Sequence, residues 1–447
     1  MDEQMKESGI QWIGAIPYSW NVERIKYIIQ NNDNGIKVGP FGSALTNEVV
    51  SSDEGKYKVY GQSNLIRKDF SYGDNYVSEQ NYKRLINYEV LPNDIAVSMM
   101  GTIGKCSVVP DNIEPGIMDS HLIKIRLSQK MLPRYFEYAY ESDMGYSQLL
   151  INSKGSIMNG LNSTIIKGLY IPVPEIIEQQ AIADFLDKEC AQIDSIAADL
   201  EKQIALLQQY KKSLITETVT KGLDKSVPMK DSGIEGVGKI PSHWKVNRLK
   251  YVAVVKTGPF GTQLSASEYS DEGIPVINVK NIGYGTIIED DLDYVPDEVC
   301  QRLTQHQLQL GDIVFGRKGA VDKHAIITES QISWVQGSDC IRVRIDGDID
   351  SRYLNYLFDT VYFTEYVLLY AVGTTMASIN SDILTNSKIL VPPITEQRCI
   401  ADSLDSNCKT LFEIIENKQS QLATLQQHKK SLIYEYVTGK KRVKEVQ

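Results

Sequence analysis

One kind of segment occurs twice in this chain, and it limits the possible folds more than any other feature. Residues 172–219 read PVPEIIEQQAIADFLDKECAQIDSIAADLEKQIALLQQYKKSLITETV, and neither Pro nor Gly interrupts the chain between Pro174 and Gly222. Such a run predicts one helix of about 45 residues, several times the ~11 of an average helix. Leu186, Ile193, Leu200, Leu207 and Leu214 recur every seventh position, with Ile182, Cys190, Ile196, Ala197 and Ile204 at three- and four-residue offsets. This is a coiled-coil seam, and it needs a partner. Residues 391–437, VPPITEQRCIADSLDSNCKTLFEIIENKQSQLATLQQHKKSLIYEYV, supply one. They are the same element 218 residues later, and their series is Leu404, Leu411, Leu425 and Leu432, interrupted by Lys418.

The duplication extends to the rest of the chain. MKESGIQWIGAIPYSWNVERIKYI from Met5 matches MKDSGIEGVGKIPSHWKVNRLKYV from Met229, and GPFG occurs at Gly39 and again at Gly258. YKVYGQSNLI from Tyr57 answers IPVINVKNI from Ile274, and LPNDIAVSMMGTIGK from Leu91 answers LGDIVFGRKGAVDK from Leu310. Short alternating runs (IAVSM, CSVV, HLIKIRL, PVINV, DIVF, CIRVRI) predict strands. The segments from Arg134 and Arg352 have helical spacing. The expected fold class is α+β: two similar β-rich α+β domains joined by two long helices that form an antiparallel coiled coil. The boundaries fall at 1–173 and 239–391 for the domains, 174–222 and 392–440 for the helices, 223–238 for a polar connector and 441–447 for a tail.

Catalytic patterns are missing where they would be sought. GPFG lacks the spacing of a phosphate loop and reads as a tight turn, and Gly101-Thr102-Ile103-Gly104-Lys105 fails the same test. Neither GxGxxG nor GxSxG is present, and the five histidines show no HExxH spacing. No metal site is expected. Six cysteines without a CxxC pair read as reduced, mostly buried thiols. No apolar run reaches the ~20 residues of a membrane span, and the first residues lack a signal peptide's basic and apolar parts, so a cytoplasmic protein is expected.

Polar side chains at the ends of predicted strands point to recognition. Asn278, Lys280 and Asn281 follow one such strand, while Arg317, Lys318 and Lys323 lie in a Gly-bounded loop after DIVF. These residue types pair with base edges or phosphates. The first repeat offers Tyr60, Gln62, Asn64 and Lys105, with Met99 and Met100 where the second has Arg317 and Lys318. Two scaffolds alike in frame and different in loop chemistry should read different targets. Phe41 and Phe260, inside GPFG, are expected to be packing anchors. A net charge of -10 excludes a generally basic nucleic-acid coat but permits a local basic groove. Residues 175–221 hold nine Asp/Glu against five Lys/Arg, a balance that favours protein partners over phosphate.

The repeats, each opening with W-x-V-x-R-[IL]-K-Y (from Trp20 and Trp244) and closing with IPVPEIIEQQAIADFLD or ILVPPITEQRCIADSLD, resemble the specificity subunit of type I restriction-modification systems. That resemblance implies two target recognition domains, each reading half of a split double-stranded DNA site. It implies helices that dock two adenine methyltransferase subunits, with restriction/translocase subunits joining them. S-adenosylmethionine, ATP and Mg2+ would then sit on the partners, with no cofactor on this chain. Two other readings stay open on the residues alone. One is a coiled-coil adaptor with two domains for ligands other than DNA. The other is a self-contained DNA enzyme, although the nearest approach to an [ND]PP[YF] methyltransferase motif, Val391-Pro392-Pro393-Ile394, fails.

Overall fold

The structure is a computed structural model that describes residues 4–32, 35–41, 44–45, 50, 55–101, 103–152, 161–373 and 377–443. The chain divides into two compact units, residues 1–200 with 420–447 and residues 201–419. Each unit therefore holds one globular part and a stretch of both long helices.

In the first unit two four-stranded sheets form the β-rich body. One has the order Ile36–Val38, Leu122–Ile125, Ile95–Ser98, Cys106–Val108, all antiparallel; the other runs Tyr76–Val77, Tyr57–Tyr60, Gly116–Met118, Glu89–Val90. The pairing of Tyr57–Tyr60 with Gly116–Met118 is parallel. The second unit repeats the plan. Five strands lie in the order Ala253–Thr257, Cys340–Ile345, Ile313–Gly316, His324–Ile326, Tyr284–Gly285, and Ile274–Ile277 stands between Asp293–Val295 and Val335–Gln336, parallel to the latter. All six runs read as strands form strands.

The helical segments from Arg134 and Arg352 each break into two, Pro133–Glu141 then Asp143–Asn152, and Ser351–Phe358 then Val361–Tyr370. At each break a hydroxyl takes a backbone carbonyl from the helix ladder, Ser142 Oγ donating to Ala139 O at 2.7 Å and Thr360 Oγ1 to Leu357 O at 2.5 Å. The stretch read as a polar connector is more ordered than expected. Met229–Asp231 pairs with Lys239–Pro241, just as Met5–Glu7 pairs with Ala15–Pro17.

The long helices span Ile176–Lys221 and Ile394–Val437, 46 and 44 residues. Both start on the same device. Gln179 and Gln397 are fully buried, and their amides donate to the carbonyls of Pro174 and Pro392, each at 2.8 Å. Their side-chain oxygens accept from the backbone of the globular part, from Leu132 N–H at 2.7 Å and Asp350 N–H at 2.8 Å. The proline-to-EQ motif is thus a staple between domain and helix. In the first unit Phe185 packs on Tyr436 with ring centroids 4.4 Å apart and Asp194 pairs with Lys429 at 2.6 Å, so the helices run antiparallel. Leu186, Ile193, Leu404, Leu411 and Leu432 are buried, while Leu200, Leu207, Leu214 and Leu425 are half-buried, as in a two-helix seam. Ile196 lies outside the seam at 52% exposure, because Ala197 occupies that turn's inward position. Lys418 does sit on the seam and sends its ammonium to Gln203 Oε1 at 2.6 Å.

The cores belong to the units separately. The main one in the first unit gathers Trp20, Tyr135, Phe136, Leu186 and Leu432. Its counterpart in the second gathers Trp244, Phe315, Tyr353, Phe358 and Leu404. Five of the six cysteines are buried and all are free thiols.

Candidate nucleic-acid interface

Recognition by side chains needs a face where loops from several strands meet. In each unit three turns do so. The GPFG turn closes on the turn before the central strand: Gly39 N–H donates to Leu122 O and Gly258 N–H to Cys340 O, both at 2.9 Å. A Cβ on Gly39 would stand 1.8 Å from Asp119 O, and one on Gly258 would stand 1.9 Å from Gly337 O. The first glycine of GPFG is therefore required by close backbone approach. The third turn arrives through Met99 N–H, which donates to His121 O at 2.9 Å, and Arg317 N–H, which donates to Asp339 O at 2.8 Å.

The phenylalanines at this junction are not packing anchors. Phe41 is 66% exposed and Phe260 50%, while the glycine two positions before each is the residue pressed on the neighbouring backbone. In the second unit the Arg317 guanidinium lies 4.7 Å over the Phe260 ring, and Lys318 pairs with Asp339 at 3.1 Å. Lys323 lies 5.5 Å over the ring of exposed Tyr284, whose hydroxyl donates to Asp322 at 3.1 Å. In the first unit the matching place holds Met99, Met100 and the pair His121–Asp119 at 3.1 Å.

Three of the proposed contact residues are structural. Tyr60 is fully buried, and its hydroxyl donates to Glu114 O at 2.6 Å; burial raises its pKa well above the usual phenol range. Asn64 is buried, its amide donating to Tyr72 O at 2.7 Å and Asp69 O at 3.2 Å while its oxygen accepts from Gly61 N–H at 2.9 Å. Asn281 repeats this role, accepting from Asn278 N–H at 3.1 Å and donating to Ile288 O and Asp290 O. The reason is local. The chain turns into a helix at Gln62–Arg67 and into a 3-10 turn at Val279–Asn281, so no strand edge aims these amides outward.

The remaining candidates are nearer the surface. Gln62 is half-buried and donates to Ser98 Oγ at 2.9 Å and Met100 O at 2.5 Å, which ties it to the Met99–Met100 turn. Lys105 is exposed and stands 3.8 Å from Glu141. Asn278 donates to Asp293 at 2.7 Å, and Lys280 reaches Asp291 at 3.0 Å and Asp293 at 3.2 Å. Arg317 and Lys318 stand at Phe260 and Asp339, and Lys323 stands over Tyr284. Exposed ion pairs of this kind are worth little, so a phosphate or base edge could displace the carboxylates. Sequence reasoning passed over Asp339, His121 and Tyr284. A polar residue directly before the apolar part of a strand run, His121 opening HLIKIRL and Asp339 preceding CIRVRI, was the available signal for the first two.

The profile described as "Type I restriction modification DNA specificity domain" matches residues 41–206 and 241–424. The type I restriction enzyme MjaVIII specificity subunit of Methanocaldococcus jannaschii is 27% identical over 342 residues, 74% of this chain and 75% of that one. The putative MjaX specificity subunit of the same organism is 24% identical over 454 residues, covering 97% and 96%. The type I restriction enzyme EcoBI specificity subunit of Escherichia coli is 25% identical over 251 residues, covering 54% and 51%. Among solved structures, a chain from work on complex assembly and conformational transition of the type I R-M system superposes with a TM-score of 0.68 at 14% identity, over 94% of this chain and 98% of that one. The HsdS subunit from Thermoanaerobacter tengcongensis superposes with a TM-score of 0.50 at 13% identity, covering 95% and 98%. At these structural identities the fold is what is shared.

Proposed function

Since the chain belongs to the type I restriction-modification DNA specificity domain family, we propose that it is the subunit that chooses the DNA site, each unit reading one half of a split, asymmetric double-stranded sequence. The observation that carries this reading is the repeated junction of three turns. Its frame is the same in both units, yet it presents Met99, Met100 and His121 in one and Arg317, Lys318 and Asp339 in the other. One scaffold with two side-chain sets suits two different half-sites. Lys105, Gln62, Asn278, Lys280, Arg317, Lys318 and Lys323 are the side chains we assign to DNA contact.

The long helices would set the unread gap and carry the partners: two adenine methyltransferase subunits, then restriction/translocase subunits. The acidic balance of the first of them, nine Asp/Glu against five Lys/Arg over residues 175–221, keeps phosphate away and leaves an outer face for protein. S-adenosylmethionine, ATP and Mg2+ would belong to those partners, and the site of action would be the cytoplasm. Among the described residues no helix is long and apolar enough to cross a membrane.

Selection from a random duplex library by the purified chain tests the reading. Two short conserved blocks separated by a fixed unread gap are expected. A single continuous block, or retention no better than on a neutral polymer, would favour an adaptor for other ligands. The purified chain given S-adenosylmethionine and DNA should transfer no methyl groups.

A further inference from the structure

Arg317 is held in place without being satisfied. Its backbone is fixed on both sides, N–H donating to Asp339 O at 2.8 Å and the carbonyl accepting from Ile379 N–H at 2.9 Å. Its guanidinium lies 4.7 Å over the ring of Phe260, which is half exposed, so ring and cation form one stacked unit at the surface. The carboxylate of Asp339 is engaged by Lys318 at 3.1 Å. Nη1 of Arg317 is shut off from solvent and has no hydrogen-bond partner among the described residues. A desolvated guanidinium N–H without an acceptor is unfavourable, and a small outward shift of the half-buried side chain that brings it to a ligand's acceptor relieves the cost.

Resting on the DNA-recognition reading above, we infer that Phe260 and Arg317 form a guanine-reading site. Phe260 orients the planar fork, and the fork donates to O6 and N7 of one guanine in the half-site read by the second unit. The stacked ring limits the rotamers open to Arg317, so little freedom is lost on binding. The first unit keeps the exposed ring as Phe41 but has Met99, which offers no donor, at the position of Arg317. Its matching contact is apolar, and no guanine is read there.

The test is a titration of the purified full chain with fluorescent duplexes bearing its selected site, each guanine replaced in turn by 7-deazaguanine, which lacks N7. Wild type should lose about tenfold in affinity at one guanine of one half-site. Arg317→Gln should lose at least as much on the unmodified duplex and be indifferent to that replacement. Phe260→Leu should show a smaller loss at the same guanine. An Arg317→Gln chain that binds every sequence less well, with a shallower salt dependence, would overturn the assignment in favour of a phosphate contact. So would a wild type indifferent to every replacement. If Arg317→Gln fails to fold, Arg317→Lys decides: keeping the charge without the fork, it should bind but lose preference at that guanine, and retained preference would overturn the site. Absence of any DNA binding by wild type would instead refute the reading on which this rests.

Discussion

Asn64 and Asn281 show that a polar residue in a recognition loop can shape the loop from inside. Each makes three hydrogen bonds to backbone groups and is shielded from solvent, so its removal leaves several partners unpaired. Asn281→Ala should cost about 2 kcal/mol of stability, read from denaturant midpoints, and weaken binding to all sequences alike. A mutant as stable as wild type that lost a single base preference would restore Asn281 as a direct reader. Nothing in the one-dimensional pattern separates these roles, since an organising amide and a reading amide look alike until the turn closes around one. Arg317 was legible because glycines flank it, whereas the exposure of Phe260 depends on residues about 80 positions away. His306 provides a pH signature. Burial pushes its pKa down, with Lys256 and Arg342 adding repulsion, so the folded state holds it neutral. As pH falls through the unfolded value of about 6.5, the unfolded chain takes a proton that the folded chain refuses, and stability drops. His306→Gln should flatten the fall in denaturant midpoint between pH 8 and pH 5.5. An equally steep fall in the mutant would place the effect elsewhere.

At the scale of elements, periodicity carried most of the information. The seam of the long helices, their proline starts and the six strands follow from spacing alone, because each depends on neighbours within a few residues. What spacing could not convey was the use of the EQ pair as a staple, or the division of one apparent helix into two at Ser142 and at Thr360. Lys418 interrupts the leucine series at a half-buried position and is accommodated by Gln203. A polar residue at one seam position fixes register at a cost in stability, so Lys418→Leu should raise the denaturant midpoint. A lowered midpoint would show that the bond to Gln203 outweighs apolar packing. The same contact sets the register for altering length. With Gln203 beside Lys418, residue 207 lies opposite about 414, so an insertion at Leu207 must be matched near Ile414 to keep the seam. Seven residues in each helix preserve the heptad and add about 10 Å, roughly three base pairs of gap. An unchanged gap in library selection would sink the ruler role.

At the scale of the whole molecule, the chain is one plan used twice with its reading surface altered. The two Trp positions illustrate the economy of the repeat. Trp20 Nε1 donates to Glu178 at 2.9 Å, and Arg442, beyond the second long helix, also reaches that carboxylate at 2.5 Å. In the second unit Trp244 packs near Gly222, beyond the first long helix, while the matching Glu396 takes His243 at 2.8 Å. The segment after each helix thus completes the domain whose tryptophan it meets. The duplication itself was legible in the sequence, because Trp, Pro and Gly at matched positions survive where neighbours differ. The candidate surface was legible only in part, because its three turns are brought together by strand pairing rather than by order along the chain. The central claim is that two unlike faces on one chain specify two unlike half-sites. Genome-wide adenine-methylation mapping, in cells carrying the partner subunits with and without this chain, tests it most directly. Chain-dependent methylation at one asymmetric motif of two blocks and a fixed gap is the expected result. A symmetric or continuous motif, or methylation indifferent to the chain, would contradict it.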